Sequence, residues 1–323
     1  MTLPSSLAHG VDRALDRSVV LGFTRIGPAL RRAWWPKDPA PGSLRGKVVA
    51  VTGANSGLGT ATALGAARLG AEVRMLCRSV ERGQEARDEI LRRAPDAVLH
   101  VDRCDVSDLA SLPRVADDLR RTVPRLHALV HNAGVMPPRR TETDEGYELT
   151  FATHVLGPHI LTDALREPLA AGGGRVVFVV SGGMYTQALH VEDPQYTQGE
   201  YSGATAYART KRMQVHLAES WARELADEGV TVHSMHPGWA DTPGVQSSLP
   251  AFRKLTRPFL RDAELGADTT VWLLAAPEGA ETTGMFWHDR APRHTSYLRR
   301  TEPTPEQVRR LWDLVVEETG RPA

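Results

Sequence analysis

The sequence predicts an α/β protein: a single doubly wound domain on a seven-stranded parallel sheet with helices on both faces, carrying an amphipathic helical extension at its N-terminus. Two observations carry that prediction. Short Val-rich runs alternate with longer amphipathic spans through most of the 323 residues with no linker between them, the pattern of repeated strand-helix units in one domain. The first apolar run, Lys47-Val48-Val49-Ala50-Val51, enters a glycine turn, Thr52-Gly53-Ala54-Asn55-Ser56-Gly57-Leu58-Gly59, and leaves it as a helix-forming stretch.

Strands are expected near residues 47–52, 72–77, 97–101, 126–131, 174–181, 230–235 and 284–287, Val-rich as befits a sheet covered on both faces. Helices are expected at 57–69, 81–94, 108–121, 145–170, 204–228 and 263–276, where apolar and charged positions recur at helical spacing. Ser107 or Asp108 would cap the third of them. Right-handed crossovers between parallel strands put every strand's carboxyl end on one edge. The glycine turn, Asn132, Ser181 and Pro237 would gather there.

The chain divides into an extension (1–43), the sheet domain (44–290) and a tail (291–323), in which residues 304–318 read as a last amphipathic helix for packing or oligomer contact. In the extension Leu15, Val19, Phe23, Ile26 and Leu30 recur at helical spacing among Arg13, Arg17, Arg25, Arg31 and Arg32, and Trp34-Trp35 closes the run. The stretch is too short and too polar to cross a bilayer, and it has no signal-peptide core. Docking on the domain or on a second subunit is favoured over an interfacial helix that would hold residues 1–36 at a membrane surface.

Composition narrows the function. Basic and acidic residues balance at 39 each, so no general field would recruit nucleic acid, and no base-reading module is present. Two cysteines, Cys77 and Cys104, do not make a secreted disulfide framework and point to a reducing, cytoplasmic setting. Both are expected as buried or cofactor-adjacent thiols. No spacing resembles a metal site; His233 and His236 fall on a strand and its turn, where their side chains should diverge.

Four lysines stand among thirty-five arginines, and one of them, Lys211, follows Tyr207 by four residues. That spacing shares one helix face. A cation about 5 Å from a phenolic oxygen, at an effective dielectric of about 20, favours phenolate by roughly 3 kcal/mol. The phenol would move from about 10 toward neutrality, where an acid or base works best. At the glycine turn, small residues let backbone approach a bound group, and the amides opening the next helix offer donors suited to a pyrophosphate.

Together these residues resemble the short-chain dehydrogenase/reductase family. Its markers follow in order: the glycine turn spaced Gly-x-x-x-Gly-x-Gly, Asn132-Ala133-Gly134, Ser181, the Tyr207-x-x-x-Lys211 helix, and His236-Pro237-Gly238 followed by Thr242. Ser181-Gly182-Gly183-Met184, the run from Met235 through Pro243 and Val245, and Gly266-Ala267-Asp268-Thr269 are similar to an orphan branch of that family, the member-twelve branch, which has no firmly assigned substrate. The resemblance implies a Rossmann-type fold and hydride transfer with a nicotinamide cofactor.

It also implies roles. Tyr207 would exchange a proton with the substrate oxygen, Ser181 would hydrogen-bond that oxygen, and Lys211 would tune the phenol and hold the nicotinamide ribose. Gly53, Asn55, Ser56, Gly57, Leu58 and Gly59 would hold the pyrophosphate turn. Asp105 and Val106 would lie beside the adenine, Asn132, Ala133 and Gly134 along the cofactor, and Pro237, Gly238 and Thr242 at the nicotinamide end. Arg78 and Ser79 stand where an acidic residue would select NAD, so NADP is expected over NAD. One position departs from the family pattern: His154 occupies the place of an asparagine that supports a proton relay. It would replace that relay, titrating near pH 6.5, or weaken it. Two function classes follow. One is an NADP-dependent oxidoreductase for an apolar ketone, aldehyde or alcohol, with Met184, Tyr185, Tyr196 and Trp239 as an apolar wall. The other is a nucleotide-binding sensor or scaffold that lost turnover through His154.

Overall fold

The sheet contains β1 (Val48–Thr52), β2 (Glu72–Cys77), β3 (Val98–Arg103), β4 (Ala128–His131), β5 (Arg175–Val179), β6 (Thr231–Met235), β7 (Phe286–His288) and β8 (Ala291–Pro292). The computed structural model describes residues 5–242, 244, 246 and 250–320, so Pro243, Val245 and both chain ends lie outside the described residues, as does the side chain of Val19. The strand order is β3-β2-β1-β4-β5-β6-β7-β8. Every pairing is parallel except β7 with β8.

The eighth strand corrects the expected seven and carries the sheet past residue 290. A hairpin turn of two residues makes it, with Asp289 and Arg290 both left-handed at φ 50° and 54°. Such turns favour Gly or Asn, so the sequence held no signal for it. The turn is held by its side chains. Asp289 accepts from Arg31 at 2.5 Å and Arg261 at 2.6 Å, while Arg290 pairs with Asp268 and Asp38.

The extension forms three short helices, α1 (Ser5–Arg17), α2 (Val19–Phe23) and α3 (Ile26–Arg31), instead of one amphipathic run. Ser18 caps α2 by accepting the Leu21 amide, and Thr24 is extended. Gly22 and Gly27 let the segments cross at backbone contact; a Cβ on Gly27 would sit 2.5 Å from the Gly22 carbonyl. The assembly docks on the domain through Phe23, whose ring packs against His236, His288, Tyr185 and Trp239.

Helices α4 (Gly57–Arg68), α5 (Val80–Arg93) and α6 (Leu112–Thr122) follow the first three strands. The helix expected over 145–170 is broken into α7 (Leu149–Phe151), a π turn (Ala152–Leu156), α8 (Gly157–Ala164) and α9 (Arg166–Gly172). Pro158 and Pro168 lack amides for an unbroken ladder. α10 (Gly203–Glu224) and α11 (Ala263–Ala275) cover the two sheet faces, and α12 (Pro305–Thr319) packs on α10. The core forms one apolar cluster on each face of the sheet.

Candidate active site

The carboxyl ends of β1, β4, β5 and β6 open on a cleft of about 630 Å³. At its floor Gly53 is left-handed at φ 64°, and a Cβ there would lie 3.0 Å from the Ala133 Cα. Ser56 precedes α4 without a side-chain cap, so the leading amides and positive dipole end of that helix face the cleft uncapped. Asn55, Ser56, Gly57 and Leu58 line the same wall. This arrangement fits a pyrophosphate. Gly59 is placed differently from expectation: it is buried behind the turn, where a Cβ would collide with the Gly53 carbonyl.

Asn132 lines the cleft, but its amide donates to the Thr52 and Gly53 carbonyls at 3.0 and 3.3 Å. Thr52 Oγ1 in turn accepts from the amides of Asn132 and Ala133, each at 3.0 Å. These bonds stitch the β1 and β4 loops together, with Ala133 and Gly134 beside them on the wall.

Beyond β2, Arg78 is 68 % exposed and its Nε lies 4.0 Å from Asp105. Ser79 caps α5 by accepting the Arg82 amide and donates to Glu81 at 2.9 Å. Arg82 joins Arg78, Ser79, Asp105 and Val106 on the cleft wall. The sequence reading did not name Arg82; its place four residues after Arg78, in the first turn of α5, was the available signal. Asp105 accepts from both the amide and the hydroxyl of Ser107, at 3.0 and 2.7 Å. Cys104 lines the cleft and Cys77 is buried beneath it; burial pushes the thiols up to about 12 and about 11. Among the described residues no group of three or more metal-ligating side chains forms.

At the other end of the cleft Ser181, after β5, and Tyr207, in the second turn of α10, line the wall together, close enough for the serine hydroxyl to lower the phenol's pKa. Ser181 Oγ also accepts the Gly183 amide at 3.2 Å. Lys211 Nζ lies 5.5 Å from the Tyr207 ring centre and donates to the Val179 carbonyl and Gln214 Oε1, both at 2.8 Å. Gln214 lies three residues from Lys211 on the same helix face, and the sequence reading missed it. Burial outweighs attraction here. It raises the Tyr207 phenol to about 12 against the lowering by the Ser181 hydrogen bond, and it lowers Lys211 to about 7. The shift runs opposite to the one expected from the pairing, because burial disfavours the charged form of both groups.

His154 sits in the π turn and is fully buried behind Gly134, outside the cleft lining. Its Nε2 accepts the Val135 amide at 3.0 Å and its Nδ1 donates to Thr210 Oγ1 at 2.8 Å. Both nitrogens are thus committed in one neutral tautomer. Burial, then the nearby Lys211, push its pKa well below 6.5, which favours a neutral imidazole over the titration near pH 6.5 expected from the sequence.

Pro237, Gly238, Trp239 and Thr242 form the remaining wall, with Val135, Met136 and Val180. Of the four aromatic and sulfur side chains expected there, only Trp239 lines it. Met184 is fully buried, Tyr185 donates to the His294 carbonyl, and Tyr196 stacks with Tyr201 beneath Arg209. These three pack the loop.

Comparisons with known proteins agree with this architecture. The family model for short chain dehydrogenase matches residues 47–251. Dehydrogenase/reductase SDR family member 12 from Bos taurus is 38 % identical over 288 residues, covering 87 % of this chain and 90 % of that protein. Retinol dehydrogenase 14 from Mus musculus is 30 % identical over 333 residues, covering 96 % of each. A crystal structure from Beutenbergia cavernae, assigned as an NAD(P)-dependent gluconate 5-dehydrogenase with NADP bound at low occupancy, shares 26 % identity at a TM-score of 0.62, covering 77 % of this chain and 97 % of that one. The chain belongs to the short-chain dehydrogenase family of NAD(P)-dependent oxidoreductases, and within it is similar to the member-twelve branch.

Proposed function

We propose that this enzyme reduces an apolar ketone or aldehyde at the expense of NADPH, and runs the reverse oxidation of the corresponding alcohol, with Tyr207 moving the proton. One observation carries the reading: Ser181, Tyr207 and Lys211 converge at the end of the cleft opposite Arg78 and Arg82. A dinucleotide lying along that cleft would place its adenosine at the arginines and its nicotinamide beside Tyr207. The cofactor, when bound, supplies or takes up the hydride.

The chain's own residues supply the rest. A phenol held near 12 stays protonated at neutral pH and donates its proton as negative charge builds on the substrate oxygen. The Ser181 hydroxyl donates a second hydrogen bond to the same oxygen. Lys211, held by Val179 and Gln214, is placed to reach ribose hydroxyls. Asp105, Val106 and Asn132 to Gly134 would flank the dinucleotide, and Pro237, Gly238 and Thr242 would close on its nicotinamide end. Guanidinium groups at Arg78 and Arg82 match a 2′-phosphate in charge and geometry, which favours NADP. Met136, Val180 and Trp239 make the substrate end largely apolar.

A panel of apolar ketones and aldehydes, with NADPH consumption as readout, tests this beside the Tyr207→Phe variant. Turnover that survives the loss of the hydroxyl unchanged would remove Tyr207 from the mechanism.

A further inference from the structure

The face of the molecule beside the cleft mouth carries exposed apolar side chains in two segments far apart in sequence. On α2 and α3, Val20, Leu21 and Leu30 are 58, 43 and 47 % exposed; on the stretch 250–259, Leu255 and Phe259 are 82 and 47 % exposed. Tertiary structure makes these segments neighbours. The Arg25 amide donates to the Phe259 carbonyl at 2.9 Å, and Arg261 donates to the Phe23 carbonyl at 3.0 Å. The helices of the extension thus spend one face on docking, through Phe23 and the buried Arg31, and turn the other outward.

Cations outnumber acids on this face, although Asp262, Glu264 and Asp268 share a groove with Arg32 and Asp241 pairs with Arg253. No acidic residue occurs from Arg17 to Lys37, or from Gly244 to Arg261. Arg17, Arg25 and Arg32 in the first segment and Lys254 and Arg257 in the second are exposed. Across the whole chain basic and acidic residues cancel, so the surface is locally segregated. In a two-fold dimer the same patch meets itself, and the exposed cations Arg17, Arg25, Lys254 and Arg257 would face their own copies. A negatively charged surface that accepts shallowly inserted apolar side chains satisfies both features. Among the described residues no helix is long and apolar enough to cross a membrane, so contact would be peripheral.

We propose that this face seats the enzyme on an anionic lipid bilayer. The cleft mouth then adjoins the lipid, because Trp239, which lines the cleft, donates its amide to the Phe23 carbonyl at 2.7 Å. Delivery of a lipid-dissolved substrate is the consequence for turnover; that consequence rests on the function proposed above, whereas the surface does not.

Co-sedimentation of the full chain with vesicles of phosphatidylglycerol and phosphatidylcholine, against phosphatidylcholine alone, tests the surface without reference to activity. Binding is expected to anionic vesicles only and to fall with added salt. It should weaken by at least about tenfold in Leu255→Ser/Phe259→Ser and in Arg25→Glu/Arg257→Glu, with NADPH binding retained as the check on folding. Equal recovery in the supernatant with and without anionic vesicles would overturn the proposal. So would variants that sediment like the parent, or a self-association that these same substitutions abolish, which would assign the face to a second copy.

Discussion

His154 donates from Nδ1 to the Thr210 hydroxyl at 2.8 Å, tying the π turn after β4 to the helix that carries Tyr207 and Lys211. Thr210 passes its own proton to the Ala206 carbonyl at 3.0 Å, which fixes the direction of the bond. With Nε2 taken by the Val135 amide, the imidazole is a clamp between the loop at Gly134 and α10. It acts through its neighbours as a positioning residue.

A clamp predicts a flat pH response. Because burial and Lys211 hold the imidazole well below its ordinary pKa, the parent enzyme should show no ionisation from His154 between about pH 5.5 and 7.5. His154→Ala orphans the buried Val135 amide and should lower kcat by about tenfold or more, while His154→Asn should stay within about tenfold of the parent. A pH–rate profile of all three checks this. A rise of more than about a hundredfold in His154→Asn would make the histidine a lesion, and the sensor reading would gain.

Lys211→Met should abolish turnover and stabilise the fold. The amine's folded pKa is depressed from 10.5 to about 7 by burial. Below about pH 7 both folded and unfolded chains carry the proton, and the cost of burying the charge is full. Between about 7 and 10 the unfolded chain keeps a proton that the folded one has released, so stability rises with pH and the cost shrinks. The Tm gain of the variant should therefore be larger at about pH 6 than at about pH 9, and thermal melts at both values decide it.

Cofactor choice is expected to lie with Arg78 and Arg82. Replacing both by alanine removes charge-assisted bonds of about 1.5 to 3 kcal/mol each at a 2′-phosphate. NADPH affinity should fall about a hundredfold or more and NADH affinity should change little. Calorimetric titration with both nucleotides measures this; an equal loss for both would assign the arginines to general nucleotide attraction.

Asp289 bridges Arg31 of the extension and Arg261 of the domain, all three buried. Asp289→Ala leaves the buried Arg261 without its carboxylate, while Arg31 keeps Asp12 at 2.7 Å, and should cost about 3 kcal/mol. Urea unfolding checks the magnitude, and loss of far less would show that the groups rehydrate.

Strands were legible in the sequence because a sheet covered on both faces needs unbroken apolar runs, and β1 to β6 lie within one or two residues of them. Amphipathic spacing located α4, α10 and α12 to within a few residues. The breaks were not legible. The π turn arises where a proline-interrupted helix must also offer His154 to α10, and the β7–β8 turn rests on ion pairs that close only when residues 31, 261 and 289 meet.

At the site, the Tyr-x-x-x-Lys spacing, the glycine turn and the family resemblance pointed to the turn, the serine, the tyrosine and the lysine, and residues of all four line one cleft. Direction and solvation were decided by packing. Gly59 faces inward, Met184, Tyr185 and Tyr196 serve their own loop, and His154 lies behind the wall. Burial raised the phenol and lowered the amine, opposite to what the pair alone would do. A spacing in sequence fixes which groups can meet. Their protonation depends on how much water the rest of the chain leaves around them, and that is a property of the assembled fold.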